Sequence, residues 1–175
     1  MVKVSRAQMD KDEKIILAEL ENNAQESIDM LAKRCGFSRQ KVWRIVKRLE
    51  KTRLIWGYSA IIDEKKNEMN HYTVLIKRTT KKLDEKTVDI ITSRKLESIV
   101  ANIGATIENS YYVNGEYDWI ITFTSQNLVQ AKKLCESLLA LHPGVIEKTT
   151  LLETLFVIKN HYILNPESKK LREFL

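Results

Sequence analysis

The stretch SIDMLAKRCGFSRQKVWRIVKRLEK, residues 27–51, decides how this chain is read. Ser27 is placed to cap a helix, and Asp29 in the first turn suits the positive end of the helix dipole. Ile28, Leu31 and Ala32 give that helix an inner face. Gly36 tolerates the left-handed backbone that closes a helix. Ser38 then caps a second helix over about 39–51, with Val42, Ile45, Val46 and Leu49 as its apolar stripe. Burying that stripe leaves Arg39, Gln40, Trp43, Arg44 and Lys47 outside, and positions 40, 43, 44 and 47 share one face. A short helix, a glycine turn and a basic helix make the helix-turn-helix pattern. Its second helix is expected to enter the major groove of double-stranded DNA. Arginine can pair with both acceptors of guanine and glutamine with adenine, whereas lysine suits phosphates. The expected contact set is Ser38, Arg39, Gln40, Lys41, Trp43, Arg44 and Lys47, with Arg44 and Gln40 as base readers. Trp43 fits two places equally, against a thymine methyl or in the core beside the first helix.

Charge supports this reading more by its placement than by its total. The whole chain has a formal net charge of +6. Between Lys33 and Arg53, every charged residue except Glu50 is a lysine or arginine, so this short segment exceeds the net charge of the whole. The remainder is slightly acidic. A charge run alone reads first as a solvated helix face; the caps, the glycine turn and the flanking elements reverse that preference.

Working outward, Ile15, Ile16, Ala18 and Leu20 mark a first helix at about 11–22, closed by Asn22-Asn23. After the basic helix, LIWGYSAII (54–62) reads as a strand interrupted by Gly57, and DEKKNEMN (63–70) as a polar linker. The next elements alternate. HYTVLIKRTT (71–80) is a strand, and one helical stretch runs from Asp84 to about Ile103, with Val88, Ile91, Ile99 and Val100 inward and Gly104 as its stop. ATIENSYYV (105–113) and YDWIITFT (117–124) form a hairpin around Asn114-Gly115-Glu116. Asn127 caps a helix to Leu141, with Leu128, Ala131, Leu134, Cys135 and Leu138 on one face, stopped by His142-Pro143-Gly144. TTLLETLFVIK (149–159) is the last strand, and the charged tail after Asn165 is expected to fray. The order β-α-β-β-α-β is the ferredoxin-like split βαβ arrangement. The expectation is an α+β chain, with a helix-turn-helix domain at 1–62 and a βαββαβ domain at 63–175.

The chain resembles the leucine-responsive/asparagine-regulator family, the feast/famine regulators. The matching pieces are LAKRCGFS (31–38), VKRLEK (46–51), LIWGYSAIID (54–63), VNGEYDWIITF (113–123) and LLALHPGVIEKTTLLETLFVIK (138–159), in that order over about residues 10–160. The resemblance implies a winged helix-turn-helix, a strand linker and a RAM-type βαββαβ effector and oligomerisation domain. It implies a transcriptional regulator that is a homodimer, with dimers assembling further. It also implies a small-molecule site, for an amino acid or similar effector, around a Gly-x-x-Asp loop, here Gly115 and Asp118. Glycine would let backbone N–H groups approach a carboxylate, and aspartate would accept from an ammonium. An equally physical reading makes Gly115 a hairpin residue and Asp118 the group that secures the turn. Two departures stand out: Thr80 to Gly115 is longer than the family's usual segment, and the tail from His161 to Leu175 passes its core.

Signs of catalysis are few. His71, His142 and His161 have no metal-ligand spacing, and the glycines are isolated from one another, so no phosphate-cradling loop is expected. No catalytic residue, metal or cofactor is expected, and the chain is not expected to be an enzyme. Two other readings stay open. One is an enzyme like the sirohaem decarboxylases, which resemble the same family in fold; the strongly basic third helix argues against it. The other is an architectural protein that coats DNA without regard to sequence. Cys35 and Cys135 are read as reduced, partly buried side chains. MVKVSRAQMDKDE has no apolar core of a leader, and no apolar run approaches the roughly 20 residues of a membrane span. A cytoplasmic protein without membrane contact is the expectation.

Overall fold

The computed structural model describes residues 11–93 and 95–175. The stretch up to Asp10, read as lacking a leader, lies outside these residues, as does Arg94 within the expected long helix. The chain divides into two compact units. One holds residues 11–61 and 158–169; the other holds 62–157 and 170–175. The division expected at residue 63 gave the whole tail to the second unit.

The first unit contains three helices, α1 (Lys11–Asn22), α2 (Ile28–Cys35) and α3 (Arg39–Lys51). Their apolar stripes meet in one core of Ile16, Leu20, Leu31, Ala32, Val42, Ile45, Val46 and Leu49. Each such side chain contributes about 1.5–3 kcal/mol when fully buried. The segment 54–62 does not form the expected strand. An extended segment becomes a strand only when another ladder accepts its backbone, and among the described residues none does. Residues 158–169 hold a small hairpin, β5 (Lys159–Asn160) against β6 (Ile163–Leu164), which turns through His161 at φ 50°. Among the described residues these two strands pair only with each other.

The second unit is ferredoxin-like. Strands β1 (Asn70–Arg78), β2 (Ala105–Tyr112), β3 (Trp119–Ser125) and β4 (Ile146–Glu153) form an antiparallel sheet in the order β2-β3-β1-β4. Helices α4 (Glu85–Thr92), α5 (Lys95–Ile103) and α6 (Leu128–Leu141) complete the unit. Strand alternation sends Tyr72, Val74, Ile76, Ile121 and Phe123 into a core with Leu96, Val100, Ala131, Leu134 and Leu138. The long helix expected from Asp84 is two helices. Near the break, Thr92 and Ser93 donate their hydroxyls back to the carbonyls of Val88, Asp89 and Ile90. Such back-bonding competes with continuation of a helix. Val88 and Leu128, both expected inward, are exposed. The last strand begins earlier than expected and ends at Glu153.

The polar segment 63–70 is a folded turn: the Asp63 side chain accepts from the Lys66 N–H, and Lys65 donates to the Leu155 carbonyl. The tail expected to fray ends in a 3₁₀ helix, Ser168–Phe174, where the Phe174 ring lies 5.7 Å from that of Phe156. On edge strand β2 the register shifts between Ile107 and Asn109, leaving Glu108 as an extra residue. Its carboxylate lies 3.1 Å from His71 Nε2 on β1, and His71 Nδ1 lies 2.7 Å from the Thr154 hydroxyl.

Candidate nucleic-acid interface

The geometry of the basic helix is set by the capped turn that leads into it. The Ser27 and Ser38 hydroxyls accept from the backbone N–H groups of Met30 and Lys41, capping α2 and α3. Gly36 takes φ 67° between them, and its N–H donates to Lys33, so the turn closes without a side-chain clash. With α3's stripe buried, its opposite face points outward. Beside it lies an open groove of about 540 Å³, lined by Ile28 and by Ser38, Arg39, Gln40, Lys41, Trp43 and Arg44.

The seven expected contact residues hold different positions in this arrangement. Gln40, Trp43 and Arg44 are exposed, and among the described residues Arg44 makes no ion pair. Trp43 is 55% exposed, so its ring lies on the surface and not in the core. Arg39 lies 3.3 Å from Asp29. Lys47 pairs with Glu50 at 2.8 Å, and Tyr58 donates to the same carboxylate. This hydrogen bonding holds the Glu50 carboxyl below its ordinary range, the contact with Lys47 being the largest cause. Lys41 is committed to the scaffold: its ammonium lies 2.6 Å from Asp12 and 3.9 Å from the centre of the Phe37 ring. Ser38 is committed to its cap.

The Lys47–Glu50–Tyr58 connection was not foreseen from the residues. The three-residue spacing of Lys47 and Glu50 was readable as a helix pair. Tyr58 was hidden because its segment read as a strand. Cys35 and Cys135 are both free and half-buried, and burial pushes both thiols up.

In the second unit, Gly115 and Asp118 lie in the loop between β2 and β3. The Asp118 carboxylate accepts from the Arg78 N–H at 2.8 Å, while the backbone N–H of Asp118 donates to Ile76 and its carbonyl accepts from Val113. This aspartate therefore ties the loop to the end of β1. Arg78 also donates to the Tyr112 hydroxyl. Gly115 is different. Its backbone is not left-handed, and an added Cβ would meet open space, so nothing within the loop requires glycine there.

Residues 9–55 match the family model described as winged helix-turn-helix DNA-binding. A comparison with curated proteins finds no match. Solved structures resemble nearly the whole chain. An AsnC family transcriptional regulator from Agrobacterium tumefaciens is 18% identical, covering 95% of this chain and 100% of its own, with a TM-score of 0.64. A transcriptional regulator from Neisseria meningitidis, in complex with L-methionine, is 17% identical, covering 95% and 99%, with a TM-score of 0.67. A feast or famine regulatory protein from M. tuberculosis, complexed with L-methionine, is 20% identical, covering 86% and 95%, with a TM-score of 0.67. The chain has the fold of the leucine-responsive/asparagine-regulator proteins. In this regulator fold the first unit supplies the basic helix, and the second supplies the four-stranded sheet. Among the described residues no helix is long and apolar enough to cross a membrane.

Proposed function

We propose that this chain is a sequence-specific, DNA-binding transcriptional regulator that acts as a homodimer in the cytoplasm and is not an enzyme. The observation that carries the reading is α3 itself: a capped helix whose exposed face presents Gln40, Trp43 and Arg44 beside an open groove. Arg44 and Gln40 read base edges, since both offer bidentate partners. Lys47 and Arg39 neutralise phosphates, exchanging Glu50 and Asp29 for them. A dimer places two such helices on half-sites about one helical turn apart, or a multiple of it. The exposed faces of Leu152, Tyr111 and Tyr112 on the sheet suit burial in such an assembly.

Selection of bound duplexes from a random DNA pool, at a stated salt concentration, tests this. A shared motif is expected. Arg44→Ala or Gln40→Ala should relax choice at one position and cost about 1–3 kcal/mol per lost pair. Lys47→Ala should weaken all sequences alike and shallow the salt slope by about one unit. Recovery of no motif by the unmodified chain would discard sequence-specific reading in favour of a DNA coater.

The loop at 113–118 is the effector site of this reading, and an amino acid is its ligand. Two structures of the same fold hold L-methionine. Gly115 leaves its backbone open to approach, and Asp118 keeps one carboxylate oxygen without a hydrogen bond among the described residues. Calorimetric titration with the twenty amino acids against the unmodified chain and Gly115→Val tests it. Silence from the unmodified chain leaves both residues as loop residues only.

A further inference from the structure

The turn that follows α3 carries an exposed tryptophan. Trp56 is 95% exposed, more than Trp43 on the recognition face. Yet its neighbours are anchored on both sides. The N–H groups of Leu54 and Ile55 both donate to the Leu49 carbonyl, and Ile55 packs against the core. The Tyr58 hydroxyl donates to Glu50 at 3.2 Å. Glu50 continues the stripe of Trp43 and Lys47 by helical spacing, so this bond sets the turn beside the C-terminal end of the reading face. Two cations precede the tryptophan in the chain, Lys51 and Arg53. Both are exposed, and neither side chain has a hydrogen-bonded or ionic partner among the described residues. Arg53 occupies a left-handed position, φ 57°, that favours glycine. A position that suits glycine but carries a long cation points to use of the side chain outside the fold.

We propose that the turn 52–58 is a second DNA-contacting element, with Trp56 packed on the sugar–phosphate backbone flanking the half-site and Lys51 and Arg53 on adjacent phosphates. This rests on the DNA-binding reading of α3. The indole offers an apolar face to deoxyribose and one N–H donor to a phosphate oxygen. The duplex is favoured over a second copy because a twofold contact would set the patch against itself, cations against cations. The contact reads no base, so it adds affinity on every sequence alike.

The test is binding of the full chain to two duplexes about 30 base pairs long, roughly three helical turns. One is of random sequence, and the other is recovered by selection. Trp56→Ala should bind both about tenfold more weakly, equivalent to about 1.4 kcal/mol, with its solution mass, melting temperature and salt slope unchanged. Trp56→Phe should recover part of the loss. Lys51→Ala and Arg53→Ala should each shallow the salt slope by about one unit. If Trp56→Ala binds like the unmodified chain while Arg44→Ala loses sequence choice, the turn is not a contact and the reading of α3 stands. If the loss comes with a smaller solution mass, Trp56 belongs to a subunit interface and the proposal is overturned. If the unmodified chain binds neither duplex, both readings fail together.

Discussion

The basic helix and the 113–118 loop both display charged side chains at the surface, but they use them differently. In the helix-turn-helix, the local needs of the fold are met by Ser27, Gly36 and Ser38, and by the buried stripe. Gln40 and Arg44 are left with nothing to do inside the unit. In the loop, Asp118 is already holding the Arg78 N–H, so one side chain serves both the fold and any ligand. Rigidity built from separate groups leaves function free to vary; rigidity built from the same group ties the two together. Accordingly, Asp118→Ala should cost stability as well as any ligand affinity, whereas Arg44→Ala should cost affinity alone.

The largest expected effect separates the two units outright. Leu49→Ala removes a fully buried side chain from the three-helix core, and Leu134→Ala does the same under the sheet. Each should cost about 2–5 kcal/mol. Calorimetry should show each variant lowering the transition of its own unit, and Leu49→Ala should abolish DNA binding. A single transition shifted equally by both would mean that the two units unfold as one.

A smaller effect sits at the caps. Ser38→Ala should cost about 1 kcal/mol, as should Asn127→Ala at the start of α6. Only the first should also weaken DNA binding. Smaller again, Arg53→Gly relieves a left-handed residue and should raise stability by at most about 1 kcal/mol while weakening DNA binding. Chemical denaturation beside a binding titration reads both.

The smallest effect concerns pH, and it belongs to the sheet unit. Hydrogen bonding to Glu108 raises the His71 pKa, against the lesser opposing effect of burial. Its contribution is therefore complete below about pH 6.5, the ordinary histidine value, and disappears as pH rises through the higher folded value. Burial lowers His142, whose Nδ1 is buried without a hydrogen-bonding partner among the described residues. Its neutral form is favoured in the fold, so stability falls as pH drops from about 6.5 through the lower folded value. His71→Gln should lose stability in mild acid and little in mild base, and His142→Gln should lose acid sensitivity. Melting curves across that range check both signs.

These contrasts track what could be read from residues alone. The stripe of α3, both serine caps and Gly36 were legible because each acts within one or two helical turns. The β-α-β-β-α-β order was legible for the same reason, from alternation and turn signals. What failed was non-local or competitive. The segment 54–62 has the composition of a strand, but strands need partners. The helix from Asp84 has a continuous apolar pattern, but Thr92 and Ser93 bond back against it. At the interface, the outward face was visible, while the capture of Lys41 by Asp12 and Phe37 was not. That capture depends on how α1 lies against α3, which no spacing within α3 records.

The extra residue in β2 has a consequence for the behaviour of the protein at high concentration. Edge strands invite identical edges to add on, and a sheet that grows this way becomes a fibre. At Glu108 the ladder loses step, and the side chain of this extra residue is held by His71. A second sheet arriving at this edge would find its hydrogen bonds out of phase. The same irregularity that keys β2 to the histidine thus keeps the sheet finite, and deletion of Glu108 would restore a regular edge along which molecules could polymerise.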